Sequence, residues 1–239
     1  MLWDQVPRRV QEAVESFAGG PVVEAVSQSG GFSPGVAARL QLEGGERAFV
    51  KAMRVRRHPP SARLYRLEAD AMRRLPAGLP VPKLLGVYDR LGWIALVYED
   101  VDGRHPVIPW GARDLELVGS GLSQLAEALR PSPWPDAPTF ADLNAGILDA
   151  PEALLGSPPP DLDPRLRRHL ERYSAAGIDV AEVVRGDALI HTDLFWHNVL
   201  LTPDHGVVFV DWSWACNAAP WLDVACFAMA LPRCDGHPR

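Results

Sequence analysis

The chain has 239 residues and a formal net charge of −6, with 47% apolar and 23% charged residues. That length, at about 100–200 residues per domain, accommodates one domain or two small lobes, and the composition excludes the disordered and fibrous classes. An acidic balance argues against broad binding of nucleic acid or anionic membranes, both of which need a basic face. No apolar run reaches the ~20 residues of a membrane span, and the N-terminus MLWDQVPRRVQEAVESF has no signal-type apolar stretch. Cys216, Cys226 and Cys234 form no CxxC pair, so a reducing, cytoplasmic setting is expected. Only two of the 24 basic residues are lysines, Lys51 and Lys83; in so arginine-rich a chain each is a candidate for function.

Residues 4–18 predict an amphipathic helix, with Val6, Val10, Val14 and Phe17 at helical spacing and Gly19-Gly20 as its stop. Three strand-like segments follow: PVVEAVS (21–27), GVAARLQL (35–42) and ERAFVKAM (46–53). Gly44-Gly45 between the last two is a hairpin signal, and SQSGGFSPG (27–35) is a glycine-rich turn. SARLYRLEADAMRRL (61–75) reads as a second helix, then LLGVYD (84–89) and WIALVYE (93–99) as an antiparallel pair. The first hundred residues thus predict a five-stranded, mostly antiparallel sheet with a helix inserted after the third strand.

Helical patterns dominate thereafter, over 114–130 and 164–177, with proline-rich 131–138 between them and 150–164 expected as a surface loop. The end of the chain alternates short strands and turns. It closes on PWLDVACFAMAL (220–231), a helix expected to start at Pro220.

The densest polar chemistry lies in 191–211. His191, Asp193 and Asn198 sit between the apolar runs DALI and VLL, and Asp211 ends the run VVFV. Two hairpin arms bring the loop after 190 and the turn after 210 side by side, and polar side chains on loops held by rigid strands are where sites form. One carboxylate suits proton handling; an amide and a second carboxylate suit a hard cation such as Mg²⁺. Taken one at a time, Asp and Asn at such positions also serve as turn caps.

The spacing H-x-D-x-x-x-x-N, then strand, turn, strand and Asp, resembles the catalytic and metal-binding loops of protein-kinase-like enzymes. Together with DWSWACNAAPWLDVA (211–225), it resembles the aminoglycoside phosphotransferase family of small-molecule kinases over roughly residues 20–230. The resemblance implies a two-lobed α+β kinase-like fold, with an N-lobe over 1–99 (the five-stranded sheet plus helix) and a mainly helical C-lobe over 100–239. It implies transfer of the ATP γ-phosphoryl group to a hydroxyl of a small molecule, with an aminoglycoside-like antibiotic as the acceptor expected at family level, and with ATP and Mg²⁺ as cofactors.

Residue by residue, Asp193 would be the catalytic base, and Asn198 and Asp211 would hold Mg²⁺. His191 and Asp223 would brace the catalytic loop. Lys51 would pair with the α/β-phosphates and Glu68 would hold Lys51; Arg63 and Arg66 are competing partners for Glu68. In the nucleotide loop Gly30, Gly31 and Ser33 would approach the phosphates, with Pro34 removing one N–H donor. Backbone groups of Glu99 and Val101 would meet adenine, with Tyr98 behind the base. Asp100, Asp102, Asp114, Asp142, Asp161 and Asp163 are further acidic residues able to line a cationic acceptor pocket.

Two features depart from the family pattern. The loop HTDLFWHN carries Thr192 where many relatives have glycine and Phe195, Trp196 and His197 before the asparagine; and the chain stops at Arg239, where relatives continue with further helices. Two alternatives compete: a nucleotide-binding pseudokinase module, and a metal-dependent hydrolase built on His191, Asp193, His197 and Asp211.

Overall fold

The first helix begins one turn later than the apolar spacing predicts, because Pro7 stands at its N-cap. In the computed structural model, which describes residues 1–28, 34–176, 179–204 and 206–231, α1 runs Arg8–Ala18 after a short 3₁₀ turn over Trp3–Gln5. Gly19, at φ 99°, ends it with its N–H on the Glu15 carbonyl (2.9 Å). Val6, Val10 and Val14 are buried as expected. Phe17 is 37% exposed and lies instead against Gly86, where a Cβ would come within 2.2 Å of its ring.

Strands β1 (Val22–Ser27), β2 (Val36–Leu42), β3 (Arg47–Arg54), β4 (Leu84–Arg90) and β5 (Trp93–Glu99) form one antiparallel sheet in the order β1-β2-β3-β5-β4. Its two faces are covered by different helices. Val36, Ala38, Leu40, Ala48, Val50 and Ala52 pack towards α1, together with Trp93, Ala95 and Val97. The alternate positions Met53, Ile94, Leu96 and Tyr98 pack on the other face with α2 (Pro59–Met72) and the C-terminal part. Because β5 is covered on both faces it reads as the unbroken apolar run WIALVYE rather than as an alternation.

The C-terminal part is mainly helical: α3 (Ala112–Ala128), α4 (Phe140–Leu148), α5 (Ala150–Gly156), α6 (Pro164–Ala175), α7 (Val180–Val183) and α8 (Leu222–Ala230). The expectation of a loop over 150–164 is corrected, since its first seven residues are α5. Pro151 falls in the first turn, where no intrahelical N–H is needed. Helix α4 was not anticipated; a reciprocal cap between Thr139 and Asp142 starts it.

Four three-residue strands complete the chain: β6 (Ala188–Ile190), β7 (Val199–Leu201), β8 (Val207–Phe209) and β9 (Cys216–Ala218). The β7–β8 hairpin is nested inside the β6–β9 pair. This nesting sets the connection 191–198 beside the connection 210–215, and the hydrogen bond from Val210 N–H to the Asn198 carbonyl (3.0 Å) ties the two together.

Candidate active site

Lys51 leaves β3 on the face opposite α1, paired across the sheet with Ala37 and Leu96. Its Nζ lies 2.8 and 3.0 Å from the two Glu68 carboxylate oxygens and 2.9 Å from Asp211 Oδ1. The competing partner Arg66 is engaged elsewhere, by a bidentate pair with Asp89 at 2.7 and 3.0 Å. Glu68, on α2, is 1% exposed and accepts a further hydrogen bond from Tyr98 Oη (2.9 Å). The Tyr65 ring stands 5.6 Å from Lys51 Nζ, within cation–π range.

The electrostatics follow from this crowding. Burial works against the Lys51 charge, but the Asp211 and Glu68 carboxylates outweigh it and hold the ammonium above its ordinary pKa. Burial pushes Glu68 up, opposed by Lys51. Burial also opposes the Asp211 charge, yet Lys51 and Ser213 hold that carboxylate down at about 2. Burial and the adjacent Glu68 push the Tyr98 phenol well up, so Tyr98 stays a donor.

The 191–198 connection is braced from beneath. Asp223, in the first turn of α8, accepts from His191 N–H (2.9 and 3.1 Å) and from Thr192 N–H (2.8 Å). Thr192 sits at φ 66°, a left-handed conformation that is costly for a β-branched residue, and its hydroxyl donates to the Trp214 carbonyl (3.0 Å). His191 is fully buried, with its ring edge-on to Trp212. Its Nδ1 accepts from Asp193 N–H (3.3 Å), which makes Nε2 the protonated nitrogen donating to the Val210 carbonyl (2.9 Å). Both ring nitrogens are therefore spent on backbone, and the hydrolase alternative loses His191 as a metal ligand.

Asp193 is half-buried, and Asn198 Nδ2 donates to its Oδ2 (3.0 Å) and to its carbonyl (2.8 Å). Asn198 thereby turns its amide nitrogen to Asp193 and keeps Oδ1 as its acceptor end. Asp211, at φ 66°, presents a buried Oδ1 that accepts no hydrogen bond among the described residues and lies 2.9 Å from Lys51 Nζ. An anionic oxygen without a hydrogen bond and an amide oxygen on adjoining connections suit Mg²⁺, which takes few protein oxygens and completes its shell with phosphate and water. No cluster of three or more His, Cys, Asp or Glu able to hold a metal occurs among the described residues.

The remaining expected residues divide. Gly30, Gly31 and Ser33 lie outside the described residues. Gly35, just after them, is required by packing: a Cβ there would stand 2.5 Å from the Ala52 carbonyl oxygen. Glu99 N–H donates to the Lys83 carbonyl (3.0 Å), and Glu99 Oε1 accepts from Lys83 N–H (3.0 Å). Tyr98 points into the core and binds Glu68, a role its sequence position did not reveal. Of the scattered aspartates, Asp142 and Asp163 cap helices, Asp114 pairs with Arg104, and Asp100 pairs with Arg39 and Arg47.

A model of the phosphotransferase enzyme family (APH) matches residues 29–236. No curated protein matches the chain. Among solved structures, an amicoumacin kinase has a TM-score of 0.66 at 15% identity, covering 98% of this chain and 72% of that one. An aminoglycoside phosphotransferase from Alicyclobacillus acidocaldarius has 0.59 at 19% identity, covering 95% and 72%. A choline kinase from Streptococcus pneumoniae has 0.60 at 16% identity, covering 94% and 74%. These likenesses show an α+β kinase-like fold.

Proposed function

The chain belongs to the phosphotransferase enzyme family, whose members are ATP-dependent small-molecule kinases, and on that premise we propose that it moves the γ-phosphoryl group of ATP to a hydroxyl of a small molecule. ATP would lie between residues 1–99 and residues 100–239, each acting as a lobe. The observation that carries this reading is the 2.9 Å approach of Lys51, from the sheet, to Asp211, from the C-terminal connection. It sets a cation from one part beside a carboxylate from the other, where a triphosphate needs both charge neutralisation and a metal ligand.

In this reading Asp211 and Asn198 hold Mg²⁺, which would neutralise charge on the phosphates when bound. Lys51 turns one donor from Asp211 to the phosphates while Glu68 keeps hold of the others. Asp193, with Oδ2 fixed by Asn198, offers Oδ1 to the acceptor hydroxyl. The acceptor hydroxyl oxygen forms the new bond to the γ-phosphorus as the bond to the β-phosphate oxygen breaks; ADP leaves, and the hydroxyl proton passes to Asp193. Retention of Lys51, Asp193, Asn198 and Asp211 together favours catalysis over a binding-only module.

The acceptor is proposed at the level of class. Kinases of amicoumacin, aminoglycosides and choline are among the structural neighbours, and an aminoglycoside-like antibiotic is the first acceptor to try. The test is ATP consumption across a panel of aminoglycosides, other hydroxylated antibiotics and amino alcohols, repeated with two variants. Asp193→Asn keeps nucleotide affinity and lowers kcat by about 10²–10⁴, the range for a general base. Asp211→Asn weakens Mg²⁺-dependent nucleotide binding and turnover together. An unstimulated chain that consumes ATP with no acceptor from the panel, or a reversal of the two phenotypes, refutes the reading.

A further inference from the structure

The stretch between the proposed base and the proposed metal ligand is aromatic, and the core does not claim it. Asn198 Nδ2 closes the loop on Asp193 (2.8 Å to the carbonyl, 3.0 Å to Oδ2), and Asn198 N–H donates to the Phe195 carbonyl (2.9 Å). Phe195, Trp196 and His197 therefore form a short arch with its feet on Asp193 and Asn198. Leu194 meets the packing need of this loop, at 1% exposure within the hydrophobic core. The arch residues belong to no core cluster among the described residues, and Trp196 is 39% exposed. Three positions of chain span at most about 11 Å, which bounds the distance from Trp196 to Asp193.

Trp196 is held in place by two imidazoles. His105 stands 5.6 Å from it and His197 5.7 Å from it, each with ring planes at 87°. Both supports are fixed in turn. A carbonyl only accepts, so His105 donates from Nδ1 to the Val199 carbonyl (3.1 Å). His197 stacks on Phe195, with 3° between the planes and 5.8 Å between centroids. An aromatic side chain fixed in this way loses little further freedom when a ligand covers it.

The charges around the acceptor side point the same way. Of the aspartates expected to line a cationic pocket, Asp142 and Asp163 cap helices, and Asp100 and Asp114 are paired with arginines. The arch itself carries no carboxylate. Imidazoles are neutral or positive, so His105 and His197 offer a polycation nothing. Resting on the phosphotransfer reading above, we propose that Trp196 determines acceptor specificity, and that the acceptor is a hydroxyl compound bearing an aromatic ring rather than several positive charges. The ring lies against Trp196 while the hydroxyl reaches Asp193.

The experiment is saturation-transfer NMR on the whole chain with ADP and Mg²⁺. The probes are two uncharged diols in which a phenyl group replaces a methyl, styrene glycol and propylene glycol, and the polycation kanamycin. The wild type binds styrene glycol about tenfold more tightly than propylene glycol, the worth of burying and stacking one ring, and kanamycin more weakly than styrene glycol. Trp196→Ala lowers the preference to about threefold or less, whereas Trp196→Phe, which keeps a ring, retains most of it. His105→Leu, which removes one support of the indole, falls between and serves where the alanine variant fails to fold. Equal binding of the two diols to the wild type overturns the inference, as does binding of neither, full preference in Trp196→Ala, or tighter binding of kanamycin. The ADP signals are read in the same spectra: a chain that shows the diol preference but binds no ADP refutes the nucleotide reading on which the inference rests.

Discussion

Removal of Lys51 separates the buried carboxylate of Glu68 from its counter-charge, and the cost is set by pH. Lys51→Met leaves Glu68, 1% exposed, with Tyr98 Oη as its remaining donor. Breaking a buried pair by deleting one partner costs about 3–5 kcal/mol, but Glu68 escapes part of this by taking up a proton. At about 1.36 kcal/mol per pH unit, protonation of a group with an ordinary pKa of 4.5 costs about 3.4 kcal/mol at pH 7. It costs only about 0.7 kcal/mol at pH 5. The sign follows from linkage: a carboxyl raised in the folded state adds stability below its unfolded pKa and loses it as pH rises through the folded value. The variant is therefore destabilised by about 3 kcal/mol at pH 7 and by less than about 1 kcal/mol at pH 5. Lys51→Met with Glu68→Gln, which removes the charge and keeps an acceptor for Tyr98, recovers the part of the loss due to Glu68, while the part due to Asp211, left without Lys51, remains. Urea unfolding of the three proteins at pH 5, 6, 7 and 8 measures this. A loss that is the same at every pH, or a double variant no better than the single one, refutes the assignment of Glu68 as a charged partner of Lys51.

Two further outcomes are expected. Asp223→Asn replaces an anion that accepts from two backbone N–H groups by an amide with one acceptor oxygen. Urea unfolding should show a loss of about 2–4 kcal/mol, and a loss below about 1 kcal/mol contradicts the bracing role. Gly35→Ala drives a Cβ to 2.5 Å from the Ala52 carbonyl and 3.1 Å from Met53 Cβ. Thermal melting should report about 1–3 kcal/mol of destabilisation, and an unchanged midpoint shows that β2 shifts freely.

The strands were legible because their chemistry is local. In β2, buried and part-exposed residues alternate without a break, and Gly45 at φ 95° closes the hairpin the Gly-Gly pair announced. The helices α4 and α5 were less legible because proline density masked them. Prolines at 135, 138 and 151 flank or open these helices rather than interrupt them, and the signal that was available, Thr139 three residues before Asp142, is a short motif in a long irregular stretch. The same effect moved the start of α2 back to Pro59, since proline in a first turn gives up no intrahelical hydrogen bond.

The site divides by the distance over which its parts meet. Spacing within 191–211 was readable as one unit because the nested hairpins keep its residues close in sequence. The contacts Arg39–Asp100 and Lys51–Asp211 join residues 61 and 160 positions apart, and no periodicity announces them. Four acidic side chains illustrate the difficulty. Glu68 is answered by an ammonium and a phenol, Asp223 by backbone N–H groups, Asp100 by two guanidinium groups that leave its Oδ2 without a hydrogen bond, and Asp211 by the Lys51 ammonium and Ser213, with its Oδ1 likewise without a hydrogen bond. In the sequence Glu68, Asp211 and Asp223 are told apart only by their motif positions, and Asp100 is one more acidic residue after an apolar run. Burial makes each one demand a partner, and the kind of partner separates their work. A carboxylate answered by fixed backbone N–H donors, as Asp223 is, holds the chain in place. In the proposed function Asp211 differs from Asp100 and Asp223 in that its partner Lys51 is itself the residue proposed to meet the phosphates, so that Asp211 would exchange that partner for a metal ion.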